Sequence, residues 1–348
     1  MTGINRPPLV IRADGNARMG TGHVMRMLAL AQAYRRRGGR VVFLAADIPD
    51  ALVRVLEGHQ VAVNRVPAAP GSEDDARLAA RQAAEEEAGW VVLDGYHFGP
   101  DYQAWLQSRG FKVLVMDDMA HLPSYHGHII VNQNLHAPLC RYPVNNGTRL
   151  LLGPDYVLLR EEFRRRRAQR RAVGLEARRV LVTMGGGDSG NFTATVIRAL
   201  KKSRLALEIT AVVGPANPHR AALQALANGT GTRIITSPPS MADLMAWADL
   251  AISAGGSTVW ELAFMGLPAL LVTTAGNQAG IVDACARTGM AVNLGDPARL
   301  DEEDILQVVE QLIRSPVMRR RMAAAGAQLV DGGGCDRIID AMSAGNGQ

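Results

Sequence analysis

The chain has 348 residues, 47% of them hydrophobic and 20% charged, the composition of an ordinary soluble globular protein and a length that predicts two domains. No segment approaches the roughly 18 to 20 uninterrupted apolar residues that cross a bilayer, and Met1 to Pro8 lead into a strand without a signal-peptide core, so stable membrane insertion is not expected and the expected location is cytoplasmic. Cys140, Cys285 and Cys335 lie far apart with no Cys-x-x-Cys pair, which argues against a disulfide framework and a thiolate metal site.

Leu9-Val10-Ile11 predicts the first strand, and residues 24–35 carry apolar side chains at helical spacing. Between them runs Arg12-Ala13-Asp14-Gly15-Asn16-Ala17-Arg18-Met19-Gly20-Thr21-Gly22-His23-Val24-Met25-Arg26. Gly20 and Gly22 fall in the strand-to-helix turn, where a ligand can approach bare backbone and the free N–H groups of the helix face it. His23 stands in that same field, which opposes a positive charge on its ring and suits it to accept a proton as a general base. The alternative is a first-turn histidine bonded only to the turn.

Further strands are expected at residues 41–45, 90–93, 113–116 and 129–131, with helices at 75–87 and 101–108. In Gly95-Tyr96-His97-Phe98, Tyr96 and His97 read either as sugar contacts or as packing at a strand end. His121, His126 and His128 read as a solvated loop, with no metal site implied. The net charge of +5 is concentrated in Arg160, Arg164 to Arg167, Arg170 and Arg171. Without interleaved aromatics or a nucleic-acid-binding signature, that run reads as a solvated helix between domains, and no nucleic-acid partner is expected. Arg160 follows the buried-looking Tyr156-Val157-Leu158-Leu159; it points into a cleft and pairs with a phosphate or carbonyl, or is one more charge in the helix.

The alternation then restarts, with strands expected at 180–183, 209–213, 234–236, 250–253 and 269–272. The predicted fold is α/β, two doubly wound Rossmann-like domains facing an interdomain cleft, comprising residues 1–157, residues 158–330, and a C-terminal helix in 331–348 packing back on the first domain. Thr183-Met184-Gly185-Gly186-Gly187-Asp188-Ser189-Gly190-Asn191 is a floor for a phosphate or sugar, or a flexible turn. Neither a dinucleotide fingerprint nor a P-loop is matched. In Ser253-Ala254-Gly255-Gly256-Ser257-Thr258-Val259-Trp260-Glu261 a strand ends in Gly255 and Gly256, Ser257 is expected to cap the next helix, and the hydroxyls of Ser257 and Thr258 suit a pyrophosphate. Glu261, one turn on, either holds the ribose hydroxyls or is a helix-surface carboxylate. Asn277 and Gln278 read a sugar or phosphate, or cap a helix.

The paired domains, the Gly-Gly-Ser-Thr-x-x-Glu segment and the Gly-Asn-Gln loop resemble the GT-B fold of nucleotide-sugar enzymes, particularly the transferase that adds N-acetylglucosamine in peptidoglycan assembly. With Arg12-Ala13-Asp14 and Gly20-Thr21-Gly22-His23-Val24-Met25-Arg26, the chain is similar over nearly its whole length to the UDP-sugar hydrolases of the pseudaminic acid pathway. That resemblance implies that His23 activates water, that the water attacks the anomeric carbon of a UDP-linked 2,4-diacetamido-2,4,6-trideoxy-L-altrose with inversion, and that no metal or cofactor takes part. UDP leaves as a stabilised anion, so Gly256, Ser257 and Thr258 replace the acid that an inverting glycosidase otherwise needs. Asp14 then orients His23 or binds a sugar hydroxyl, and Asp188 and Asn191 resemble the family's polar loop. Two other readings stay open: a GT-B transferase in which an acceptor hydroxyl replaces water, and a non-catalytic nucleotide-sugar binder. Oligomeric state is not indicated by the sequence.

Overall fold

A computed structural model describes residues 6–16, 19–166, 171–186, 188–214, 217–229 and 231–344. The chain divides into two compact units. Unit 1 holds the chain up to Asn16, His23–Glu161 and the segment from Gly333 on; unit 2 is Glu162–Gly332, with Ala17–Gly22 grouped to it.

Among the described residues, unit 1 is built on a seven-stranded sheet from β1 (Leu9–Ala13), β2 (Val41–Ala45), β3 (Ala62–Arg65), β4 (Trp90–Asp94), β5 (Lys112–Met116), β6 (Ile129–Asn132) and β7 (Arg149–Leu152). Helices α1 (Gly22–Arg36), α2 (Asp50–Gly58), α3 (Glu73–Glu85) and α4 (Pro100–Ser108) connect the first five strands. All pairs are parallel, in the order β3-β2-β1-β4-β5-β6-β7. Alternate residues sort to the two faces: Leu9, Ile11, Phe43, Val92 and Leu114 join one core, and Val10, Val42, Leu44, Val91 and Val113 the other. A sheet buried on both faces is why these strands read as continuous apolar runs.

After the single turn α5 (Glu161–Arg164), unit 2 repeats the plan with β8 (Arg179–Thr183), β9 (Glu208–Val213), β10 (Thr232–Thr236), β11 (Leu250–Ala254), β12 (Ala269–Val272) and β13 (Ala291–Gly295), in the order β10-β9-β8-β11-β12-β13. Its helices are α6 (Phe192–Lys201), α7 (Arg220–Ala227), α8 (Met241–Trp247), α9 (Thr258–Phe264), α10 (Ala279–Arg287), α11 (Glu302–Arg314) and α12 (Pro316–Leu329). Both units are Rossmann-like, as the sequence predicts. In each, the first strand has a neighbour on either side reached by opposite windings, β2 and β4 around β1 and β9 and β11 around β8. Such a switch point opens a crevice at the carboxyl ends of the strands.

Three strands lie outside those expected from the sequence. β3, β7 and β13 are edge strands whose residues are mostly half-buried or exposed, so they lack the apolar run that marks the central strands.

The expected solvated helix of arginines is also corrected. α5 spans one turn, and two arginines beyond it serve unit 2: Arg166 pairs with Asp243, and Arg171 donates to the backbone carbonyls of Met245, Ala248 and Met265. The last carbonyls of α8 and α9 have no partner within their helices, and a guanidinium supplies the missing donors. Burial pulls the Arg171 guanidinium down to about 10. Arg167 and Arg170, like Ala17, Arg18 and Gly187, lie outside the described residues.

The chain ends in α13 (Gly334–Ala344), whose Cys335, Ile338, Ile339 and Met342 enter the same core as Leu9 and Phe43 of unit 1. A Cβ on Gly334 would stand 2.2 Å from the carbonyl oxygen of Val157, so the helix comes this close only because its first residue has no side chain. Arg36 and Arg37 of α1 pair with Asp336.

Candidate active site

The switch point of unit 1 brings together residues from four segments of the chain. His23 and Arg26, three positions apart on α1, share a helix face. Asp94 is the last residue of β4, Asp118 follows β5, and Asn134 follows β6. His23 Nδ1 lies 2.7 Å from Asp94 Oδ1. Arg26 donates through Nη2 to Asp94 Oδ1 at 2.5 Å and through Nε to Asp94 Oδ2 at 2.6 Å, while its Nη1 reaches both oxygens of Asp118 at 2.9 and 3.0 Å. Asn134 Nδ2 and the Tyr96 hydroxyl each donate to Asp118 at 3.0 Å. All but Tyr96 are buried.

Because a carboxylate only accepts, the short contact assigns the hydrogen to His23 Nδ1 and leaves the lone pair on Nε2. Arg26 Nη2, 3.2 Å from Nδ1, is then a close donor and not a second partner. Burial alone would raise Asp94, but the charge of Arg26 and the hydrogen bonds from Arg26 and His23 outweigh it and hold the carboxyl below the usual carboxylate range. Asp118 is lowered too, again with Arg26 prevailing over burial. A histidine with its Nδ1 proton held by a fixed carboxylate is built to take a proton on Nε2. The edge of the Tyr96 ring meets His23 at a centroid distance of 5.2 Å.

Asp14 has a different task from the one expected of it. It is fully buried, Oδ1 accepts from the amides of Ala46 and Asp47 at 2.7 and 2.9 Å, and Oδ2 meets Arg12 at 2.8 Å and His97 Nε2 at 3.1 Å. It therefore ties the end of β1 to the residues after β2, on the side of β1 away from β4. The carboxylate that orients His23 is Asp94, and His97 turns to Asp14. His121, expected in a solvated loop, stands edge-on to Tyr96 at 5.8 Å, with Nδ1 3.4 Å from Asp117.

In unit 2 the Asp188 carboxylate accepts from the amides of Phe192 and Thr193 at 2.8 and 3.2 Å. It caps α6 with a negative charge where a phosphate or sugar was expected, and that charge repels an anion there. Asn191 sits at the N-terminus of α6 with φ 53°, and its Oδ1 is buried without a hydrogen-bond partner. Ser257 precedes α9 but makes no capping bond, contrary to expectation, because its backbone is already helical (φ −58°, ψ −22°) and capping geometry needs an extended residue. Thr258 opens α9, and Glu261 is half-buried on the same helix. Gln278 Oε1 folds back to accept from the amide and hydroxyl of Thr274 at 2.9 and 3.0 Å, while Asn277 is exposed. Gly22 opens α1, Gly20 has φ 81°, which favours glycine, and Arg160 is half-buried just before α5.

Gly255 and Gly256 differ physically. A Cβ on Gly255 would lie 2.3 Å from Val282 Cγ2 of α10, whereas one on Gly256 meets nothing within 4 Å. Gly255→Ala is therefore expected to cost about 1–3 kcal/mol in a thermal melt, and Gly256→Ala much less. Equal melting temperatures for the two variants would refute this packing role.

Asp94, Arg26, Asp118 and Asn134 were not singled out from the sequence. Their shared signal is position: Asp94, Asp118 and Asn134 lie at or just past the carboxyl ends of β4, β5 and β6, and Arg26 is one turn below His23.

Residues 179–328 match the model of the glycosyltransferase family 28 C-terminal domain. The chain is 25% identical over 336 residues to the spore coat polysaccharide biosynthesis protein SpsG of Bacillus subtilis, covering 94% of this chain and 95% of that protein. It is 24% identical over 257 residues to the UDP-2,4-diacetamido-2,4,6-trideoxy-beta-L-altropyranose hydrolase of Campylobacter jejuni, covering 73% of this chain and 86% of that one. The crystal structure of Acinetobacter baumannii MurG aligns with a TM-score of 0.65 at 18% identity, over 97% of this chain and 99% of that one. The fold is GT-B, as the sequence predicts, and residues 179–328 are similar to the C-terminal domain of family 28 glycosyltransferases.

Proposed function

We propose that this protein is an enzyme that hydrolyses UDP-2,4-diacetamido-2,4,6-trideoxy-β-L-altropyranose to UDP and the free sugar, the activity named for its Campylobacter jejuni relative. The observation that carries the chemistry is the buried His23–Asp94 pair. Nε2 of His23 takes a proton from water as the water oxygen bonds to the anomeric carbon. The bond from that carbon to the phosphate oxygen breaks, its electron pair leaves with UDP, and the configuration inverts. UDP is a stable anion, so one base suffices, and the reaction needs neither a metal nor a cofactor. Tyr96 borders the base and contacts the sugar, with Gly20 and Gly22 giving backbone access and Arg160 a charge for the phosphate.

In this reading unit 2 holds the nucleotide: Gly255, Gly256, Ser257 and Thr258 line the diphosphate, Glu261 holds the ribose, and Asn277 and Gln278 contact sugar or phosphate. The Ser257 hydroxyl makes no capping bond to α9. Ser257→Ala and Glu261→Ala are each expected to weaken UDP binding by about 1 kcal/mol, several-fold in Kd. Calorimetric titration with unchanged affinity for both would move the nucleotide elsewhere.

The deciding experiment gives purified protein the UDP-sugar alone. Prompt release of UDP, with proton NMR finding the inverted anomer first, supports the hydrolase. The family 28 match favours a transferase as the second reading, and release only after an acceptor is added would select it. UDP binding without release under either condition would leave a nucleotide-sugar binder.

A further inference from the structure

The mechanism uses His23 and Asp94 and leaves Asp118 without a task, although three side chains, Arg26, Asn134 and Tyr96, converge on it. Asp94 and Asp118 are two buried carboxylates on one buried guanidinium, Arg26, so the chain Asp94–Arg26–Asp118 retains one negative charge without a counter-ion inside the cluster. Asp118 is held from three sides, by Arg26, Asn134 and Tyr96, and its backbone carbonyl lies 3.1 Å from His136 Nε2. Asp117, its neighbour in sequence, faces Tyr125, Tyr142 and His121, the last of which packs on Tyr96.

We propose that Asp118 is a positioning residue that acts on His23 through Arg26. By holding one edge of the guanidinium it shares out the cation's charge, so that Asp94 keeps enough negative charge to grip the Nδ1 proton and to stabilise the imidazolium formed when Nε2 takes its proton. Arg26 alone on Asp94 would satisfy that carboxylate and weaken its hold on the ring. The inference rests on His23 being the base, but its first readout needs no substrate.

Two substitutions act in opposite directions. Asp118→Asn removes the competing charge, so Arg26 binds Asp94 undivided and the Asp94 to His23 hydrogen bond weakens. Asn134→Ala removes a donor from Asp118, which then takes a larger share of Arg26 and leaves Asp94 the stronger acceptor. In full-length protein, the downfield imidazole N–H resonance of His23, assigned by its loss in His23→Gln, is expected to move upfield in Asp118→Asn and further downfield in Asn134→Ala. With the UDP-sugar, Asp118→Asn is expected to lower kcat about tenfold and to leave KM within about twofold. A merely structural role would loosen the site in both variants and move the resonance one way. Same-direction shifts, no shift in either, or a loss carried by KM would overturn the proposal; should Asp118→Asn fail to fold, the direction seen in Asn134→Ala decides. If opposite shifts occur in a protein that releases no UDP, the hydrolase reading fails and the charge-sharing stands; turnover without the shifts is the reverse result.

Discussion

His23→Asn is expected to abolish UDP-sugar turnover, a loss of at least about a hundredfold, while UDP affinity stays within a few-fold. Asparagine keeps a polar side chain of similar reach that can still donate to Asp94, so folding and the Arg26 pairing are preserved, but it has no basic nitrogen in the place of Nε2. Water then attacks without a proton acceptor, and the whole loss falls on kcat. The nucleotide contacts assigned above lie in unit 2, which is why binding of UDP is the control. Asp94→Asn should lose less, since it misorients the ring and favours the wrong tautomer without removing the base. A His23→Asn enzyme with wild-type kcat would mean that another group takes the proton.

Arg26→Met is expected to destabilise the protein by about 3–5 kcal/mol, a large part of the stability of an ordinary domain. The substitution keeps the aliphatic volume and leaves Asp94 and Asp118 buried without their shared cation. In the wild type both carboxyls are held below their unfolded values, so the pairing contributes stability that is fully present above the unfolded carboxylate range, about 3.9, and is lost as pH falls through the folded values. In the variant the sign reverses: unpaired burial favours the protonated acids, so folding is penalised most at neutral pH. The difference in Tm between wild type and Arg26→Met should therefore narrow as pH is lowered from 7.5 towards 4.5. A pH-independent difference would show that Arg26 acts through packing alone.

The central strands and the glycine turns were legible because each is written in adjacent residues: Val41–Ala45 is an unbroken apolar run, and Gly20-Thr21-Gly22-His23 leads straight into α1. β3, β7 and β13 were not, since an edge strand buries too little for its composition to differ from a loop. His23 was legible from its turn, but its partners were not. Asp94 lies 71 positions from His23, and Asp118 lies 92 from Arg26. Only the order β1-β4-β5-β6 brings them side by side, and a single aspartate after an apolar run gives no sign of it. Asp14 is close to His23 in sequence, yet the amides after β2 hold it on the other side of β1. The same holds for Asp188, where a residue type suited to a ligand serves instead to cap the start of a helix.

The placement of α13 has a consequence for the order in which the molecule matures. Cys335, Ile338 and Met342 complete the core begun by Leu9, so the first half of the nascent chain leaves the ribosome lacking a wall that is synthesised only after unit 2, whereas everything unit 2 needs from Glu162 onward has been made by Gly332. Unit 2, to which the nucleotide is assigned in the proposed reading, should accordingly be able to fold on the ribosome before unit 1 is closed, the reverse of the order in which the two begin.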